Sequence, residues 1–228
     1  SQYQLCLMIW QDVLNLRGAS NHTTKLIGDA CDETEELYEE GHPTASMHNR
    51  AKGVYQLYLA TYFGEHELGS QIAIQSCLEW LKTMPSSFGL YPALFHSALC
   101  CLCMAHKCKP SYYTKHARKF LKILKRWEKK GNPNCSHSIA VLEAEQCFLK
   151  KRGKKAIERY EAGIRMLQKQ KHTHNEALAN ERCSAFYASI GEKAKAEEHL
   201  KASIDLYKEW RANKKVEMLV QKYSSDYE

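Results

Sequence analysis

The sequence predicts an all-α chain, a right-handed α-solenoid of about five helix pairs closed by a C-terminal capping helix. Three observations carry that expectation. Apolar residues recur at the helical spacing of about 3.6, as in Leu68, Ile72, Ile74, Leu78 and Leu81, or Phe120, Ile123, Leu124 and Trp127. Val, Ile and Thr nowhere alternate with polar residues over a strand length. Only 11 Gly and 5 Pro in 228 residues leave too few turn-formers for an all-β fold.

Glycines and prolines divide these stretches in order. Helices are expected at 2–17, stopped by Gly18, and at 23–40, stopped by Gly41. The next covers 45–63, between Pro43 and Gly64, and is followed by 65–83. "TMPSSFGLYP", with Pro85, is the most loop-like connection. Helices at 91–107 and 111–130 begin near Pro92 and Pro110, where a missing N–H costs nothing, and Gly131 ends the second. Helices at 135–151 (after Pro133 and before Gly153), 154–171, 175–190 (before Gly191), 192–211 and 213–223 complete the chain. One domain, 1–228, therefore holds pairs at roughly 1–41, 45–84, 91–131, 134–171 and 174–211, with a cap at 212–224.

The turns inside successive pairs lie near Gly18, Gly64, Lys109–Pro110, Gly153 and Gly191, separated by about 46, 45, 44 and 38 residues, as in paired-helix repeats. A finer register supports this. Ala144, Cys147, Ala156, Tyr160 and Gly163 recur forty residues on as Ser184, Tyr187, Ala196, Leu200 and Ser203. Small residues at the first, third and fifth places let helices approach, and bulky ones fill the groove between them. That is the tetratricopeptide pattern, carried only loosely by the earlier pairs.

Residues 98–108, "ALCCLCMAHKC", place four of the chain's ten cysteines and His106 in eleven positions. A structural zinc site needs a second ligand pair, which is missing. A redox CxxC sits at a helix N-terminus, whereas Cys100 and Cys103 fall mid-helix. With Leu94, Phe95, Leu99, Leu102 and Met104 they make a helix apolar almost all round, so these thiols are expected in the core. Cys6, Cys31, Cys77, Cys135, Cys147 and Cys183 are scattered singly and are best explained by packing. His172 and His174 lie in one connection and are expected to form a polar linker that caps the helix starting near Asn175. "CDETEELYEE" at 31–40 lacks the alternating oxygens and central glycine of a calcium loop, and is expected to be a solvated helix face. No phosphate-binding loop, GxSxG, HExxH or kinase catalytic loop occurs. Neither a catalytic residue, a metal nor a cofactor is therefore expected.

Charge is distributed unevenly. Residues 1–106 hold 5 Lys+Arg against 11 Asp+Glu, residues 107–171 hold 19 against 5, and residues 172–228 hold 9 against 10. Lys115, Arg118, Lys119, Lys122, Lys125, Arg126 and Lys129 recur at helical spacing, and "KKRGKK" at 150–155 adds Lys151, Arg152, Lys154 and Lys155. Two readings stand. These cations form a solvated face paired with acidic helices of the same array, or they bind an acidic protein, a nucleic-acid backbone or an anionic lipid surface. No groove-reading motif or aromatic platform accompanies them.

Residues 134–219, with "EALANE" at 176–181, Phe186-Tyr187, Gly191 and Tyr207 to Trp210 followed by Lys215-Val216, resemble the helical-repeat region of very large predicted signalling ATPases. In that family a kinase-like domain and a STAND-type AAA ATPase precede the repeats, and GAF, histidine-kinase or cyclase domains follow. The likeness is best over 91–223. The family has Trp-Gly-Ala where this chain has Trp210-Arg211-Ala212, which puts that helix end in question. The resemblance implies a non-catalytic protein-interaction or sensor scaffold, holding a partner or neighbouring domains of a larger chain. The alternative is a basic anion-binding module acting through 107–171. Ser1 in place of Met points to a piece of a longer chain, and ten cysteines without a signal peptide point to reduced thiols in a cytoplasmic, reducing compartment. No stretch suits a transmembrane helix.

Overall fold

The computed structural model describes residues 2–35, 43–83 and 89–225. Every regular element among them is helical: α1 (Gln2–Arg17), α2 (Pro43–Tyr62), α3 (His66–Ile72), α4 (Leu78–Thr83), α5 (Leu90–Lys107), α6 (Pro110–Lys129), α7 (Cys135–Leu149), α8 (Gly153–Gln170), α9 (Thr173–Ser189), α10 (Lys193–Glu209) and α11 (Asn213–Ser225). Helix α5 packs along α6, α7 along α8 and α9 along α10, and each of these pairs touches the next. The chain ends also meet, because α1 lies against α11.

Helices α6 to α10 end in one repeated device. A residue in the left-handed region follows each of them, at Gly131, Lys151, Lys171, Gly191 and Arg211, at intervals of 20 residues. The next N–H then bonds the carbonyl five residues back: Asn132 to Trp127, Arg152 to Cys147, His172 to Leu167, Glu192 to Tyr187 and Ala212 to Tyr207, at 2.9–3.1 Å. Glycine takes that conformation freely, while Lys151, Lys171 and Arg211 hold it at a cost of roughly 1–2 kcal/mol each. The stop expected at Gly153 thus falls on Lys151, and Gly153 opens α8 instead. Arg211 forms the same turn that glycine forms elsewhere, so the helix end at Trp210-Arg211-Ala212 keeps its geometry.

Between these turns, small side chains sit where helices cross. A Cβ on Gly163 would lie 2.9 Å from Val141 Cγ2 and 3.4 Å from the His137 carbonyl. Forty residues on, Ser203 Oγ donates to the Ala177 carbonyl at 2.8 Å, and Ser184 Oγ donates to the Ala196 carbonyl at 2.7 Å. Cys100, Cys101 and Cys103 lie in the core, 0%, 0% and 3% exposed, while Cys108 is exposed. Burial pushes the Cys100 and Cys101 thiols up to about 12, and Cys103 rises further still. Cys100 Sγ lies 3.2 Å from Thr61 Oγ1, under Gly69, where a Cβ would come within 2.5 Å of that sulfur.

Two expected helices are corrected. Residues 23–35 form turns with a single bridge between Ile27 and Asp32, while 36–40 lie outside the described residues. The reason lies in α1. Its fully buried Gln11 and Asn15 take the backbone groups a helix there would use. Asn15 Nδ2 donates to the carbonyls of Lys25 (2.7 Å) and Thr23 (3.3 Å), and Gln11 Oε1 accepts from the N–H of Ala30 (3.0 Å). Glu33, expected on a solvated face, accepts the Leu26 N–H at 3.0 Å. The first pair is therefore one helix and an irregular segment over its described residues. The helix expected at 65–83 is widened by a π-turn at Ala73–Cys77 between α3 and α4. Trp80, just beyond it, is buried over Gly53, where a Cβ would stand 3.1 Å from the indole.

Gly163→Leu should lower the unfolding free energy by about 1–3 kcal/mol through overpacking. Arg211→Gly should raise it by roughly 1 kcal/mol by relieving the left-handed backbone. Urea denaturation reads both, and unchanged midpoints would contradict the crossing and the strained turn.

Candidate functional site

Helix α6 buries Ala117, Phe120, Leu121 and Leu124 and turns its other side outward. Lys115, Arg118, Lys119, Lys122, Arg126 and Lys129 are exposed there. Lys125 is half-buried and pairs with Glu143, which also takes Arg159 at 3.3 Å. Lys151, Arg152, Lys154 and Lys155 are exposed around the α7–α8 turn. Among the described residues Lys125 alone of these eleven has an ion-pair partner. Like charges three or four apart on a helix each cost roughly 0.2–0.5 kcal/mol, so α6 carries a repulsion that the Lys125–Glu143 pair relieves only in part.

Six of these cations line a groove of two adjoining lobes. One, of about 520 Å³, lies over Arg118, Leu121, Lys122, Lys125, Arg126 and Lys129. The other, about 550 Å³, is walled by Ser111, Thr114, Lys150 and Lys151, over Pro110, Phe148 and Leu149. Arg118 and Gln146 belong to both, so the lobes are continuous. Among the described residues no carboxylate lines either one. Lys115, Lys119, Arg152, Lys154 and Lys155 stand outside the lining. Sequence periodicity had not pointed to Ser111, Thr114, Gln146 or His106 as site residues, since their convergence depends on how α5, α6 and α7 pack. Lys150 was visible only as part of the basic run.

Beneath the groove lies a buried carboxylate. His106, at the edge of the second lobe, reaches Glu145 Oε2 through Nε2 at 3.2 Å. Glu145 is 0% exposed. It accepts two bonds from Arg182, Nε at 2.6 Å and Nη2 at 3.1 Å, and one from the Tyr160 hydroxyl at 2.8 Å. Burial pushes this carboxyl up, but the Arg182 guanidinium and His106 outweigh it and hold it at about 2. This single side chain ties α5, α7, α8 and α9 together. A second group joins α9 to α10 and α11, where Glu181 accepts from Lys215 at 2.7 Å and from the Tyr207 hydroxyl at 2.9 Å.

Aromatic rings link the remaining helices. Tyr91, His137, His172, His174, Trp210, Tyr62 and His96 follow one another with neighbouring centroids 5.0–6.2 Å apart. Tyr62 of α2 thereby touches Trp210 at the end of α10, so side chains of the second and last pairs meet. The expected role of His172 and His174 as polar caps is corrected: no side chain caps α9, which starts at Thr173, and both rings pack in this row. Neither protein-family models, curated proteins nor solved structures offer a match to this chain. No helix among the described residues is long and apolar enough to cross a membrane.

These buried groups set a pH dependence. Burial holds His96 down to about 3, and His137 and His174 to about 4. The unfolded chain therefore binds protons below about pH 6.5 that the folded chain refuses. Their contribution is intact above that pH and is lost as pH falls toward 4, at roughly 1.4 kcal/mol per pH unit for each of the two fully buried rings, His96 and His137. Asp12 opposes this by one proton, because burial holds it up to about 8. Glu145 adds a further loss between about pH 4.5 and 2. Urea midpoints should fall steadily from pH 7 to 4.5, and less steeply in His96→Phe. A flat profile would contradict the packing of these histidines.

Proposed function

We propose that this chain is a non-catalytic protein-interaction or sensor scaffold, the tetratricopeptide-like helical-repeat arm of a larger signalling ATPase, and that it engages a partner through the basic surface of α6 and the α7–α8 turn. The observation that carries the reading is the groove itself: a concavity lined by cations, free of carboxylate, whose charges find almost no partners within the described chain. Helix ends recurring every 20 residues and small residues at the crossings support the repeat assignment. Rows of helices stacked this way present long continuous surfaces suited to binding proteins. The groove in turn favours an anionic partner, because a focused positive potential raises the local concentration of negative charge.

Lys125 is poorly suited to a charge-reversal test, since reversal would also break its pair with Glu143. Lys122→Glu/Arg126→Glu alters exposed residues only, and such changes leave stability nearly untouched. Pull-downs with wild type and this variant, at low and high salt, should retain a protein partner only with wild type at low salt. Retention of the same partner in all four conditions would move the interaction off the basic surface. Capture of nucleic acid in its place would favour the anion-binding alternative.

A further inference from the structure

We infer that the α6–α7 groove seats one acidic segment of a protein partner, carboxylates along its Lys and Arg rim and an apolar side chain against Pro110, Phe148 and Leu149. The inference rests on the scaffold reading and adds the occupant and its placement. Three features of the groove select a polypeptide. First, the cations lie along its length: Lys129, Arg126, Lys122 and Arg118 beside one lobe, Lys150 and Lys151 beside the other. Such a row matches carboxylates distributed along a segment, not one compact anion.

Second, the floor is apolar. Leu121 underlies the first lobe, and Pro110, Phe148 and Leu149 the second. A nucleic-acid backbone or a phosphate has no aliphatic side chain comparable to Leu to offer that surface, whereas a peptide supplies carboxylate and hydrocarbon together. Third, the two aromatic rings in the lining, Phe148 and His106, are engaged. Phe148 packs on His106 with centroids 4.2 Å apart and edge-on to Phe186 at 5.2 Å, so it does not serve as a free stacking platform of the kind single strands use. Ser111, Thr114 and Gln146 add neutral donors to the wall that carboxylate oxygens can use. From Pro110 to Lys129 the groove runs about 28 Å, the length of a helix of about 18 residues.

The test uses the whole chain and a defined probe. A fluorescein-labelled, Glu-rich peptide of about 18 residues, bearing two Leu one helical turn apart, is titrated by anisotropy. Beside it runs the same peptide with Leu replaced by Ser, and a single-stranded oligonucleotide of equal charge. The Leu peptide should bind about tenfold more tightly than the Ser peptide and more tightly than the oligonucleotide. Two variants plug the groove without changing charge: Gln146→Trp at the junction of the lobes and Thr114→Trp in the second lobe. Each should weaken the Leu peptide at least tenfold with the helical circular dichroism unchanged. Either variant suffices if the other misfolds, and the Leu/Ser comparison on wild type needs neither. Equal binding of the two peptides, no peptide binding, tighter oligonucleotide binding, or full binding by folded plugged variants would each overturn the inference. If the plugs are silent while Lys122→Glu/Arg126→Glu abolishes binding, the scaffold reading stands and the groove assignment falls. If that reversal is silent as well, both fall.

Discussion

Glu145 is the constraint on which the arrangement of the central helices depends. A carboxylate with no exposure to water survives in the ionised form only when its lone pairs are occupied by strong donors. Arg182, Tyr160 and His106 occupy them, and each comes from a different helix. A buried ion pair of this kind adds little net stability over a well-packed apolar substitute, because desolvation consumes most of the Coulombic gain. Its effect is on geometry. Two bonds from one guanidinium fix the relative height of α7 and α9, and the His106 contact fixes the end of α5 against both. The end of α5 and the outer side of α7 form one wall of the groove, so the buried cluster positions that wall, while α6, which packs along α5, carries most of the cations.

The turns between helices impose the second regularity. Five consecutive helix ends reach the left-handed region at the same interval, and the chain leaves each helix in the same direction. With helix ends spaced at one interval and the same turn at each, neighbouring crossings become equivalent, which is why Gly163 and Ser203 meet the carbonyls of His137 and Ala177, positions forty residues apart. Only two of the five turns use glycine. The Lys and Arg at the other three accept local strain, and this is where reading glycines as helix stops misplaced one boundary.

Legibility in the sequence followed the range of the forces involved. Helices from α5 onward were readable because apolar spacing, proline starts and helix stops all operate within a few residues. So was the burial of Cys100 and Cys103, since a helix apolar all round has no solvent side. The segment at 23–35 was not, because its fate is decided by Gln11 and Asn15, whose amides capture its backbone from another element. The π-turn before Trp80 carries no local mark either. At the candidate site, the cations of α6 were visible from their spacing of three and four, while the groove was not. Gln146, Thr114 and His106 are ordinary polar residues in sequence and acquire a role only when three helices meet. Lys125 looked equivalent to its neighbours until Glu143 proved to lie beside it.

The most direct measurement of the Glu145 claim is a double-mutant cycle in urea denaturation with Glu145→Leu, Arg182→Leu and both together. Each single change strands a buried polar or charged partner and should cost about 3–5 kcal/mol. The double variant, which removes both charges, should be no less stable than either single one, giving a coupling on the order of 3 kcal/mol. Losses that simply add would contradict the account and show that Glu145 and Arg182 act on the array independently.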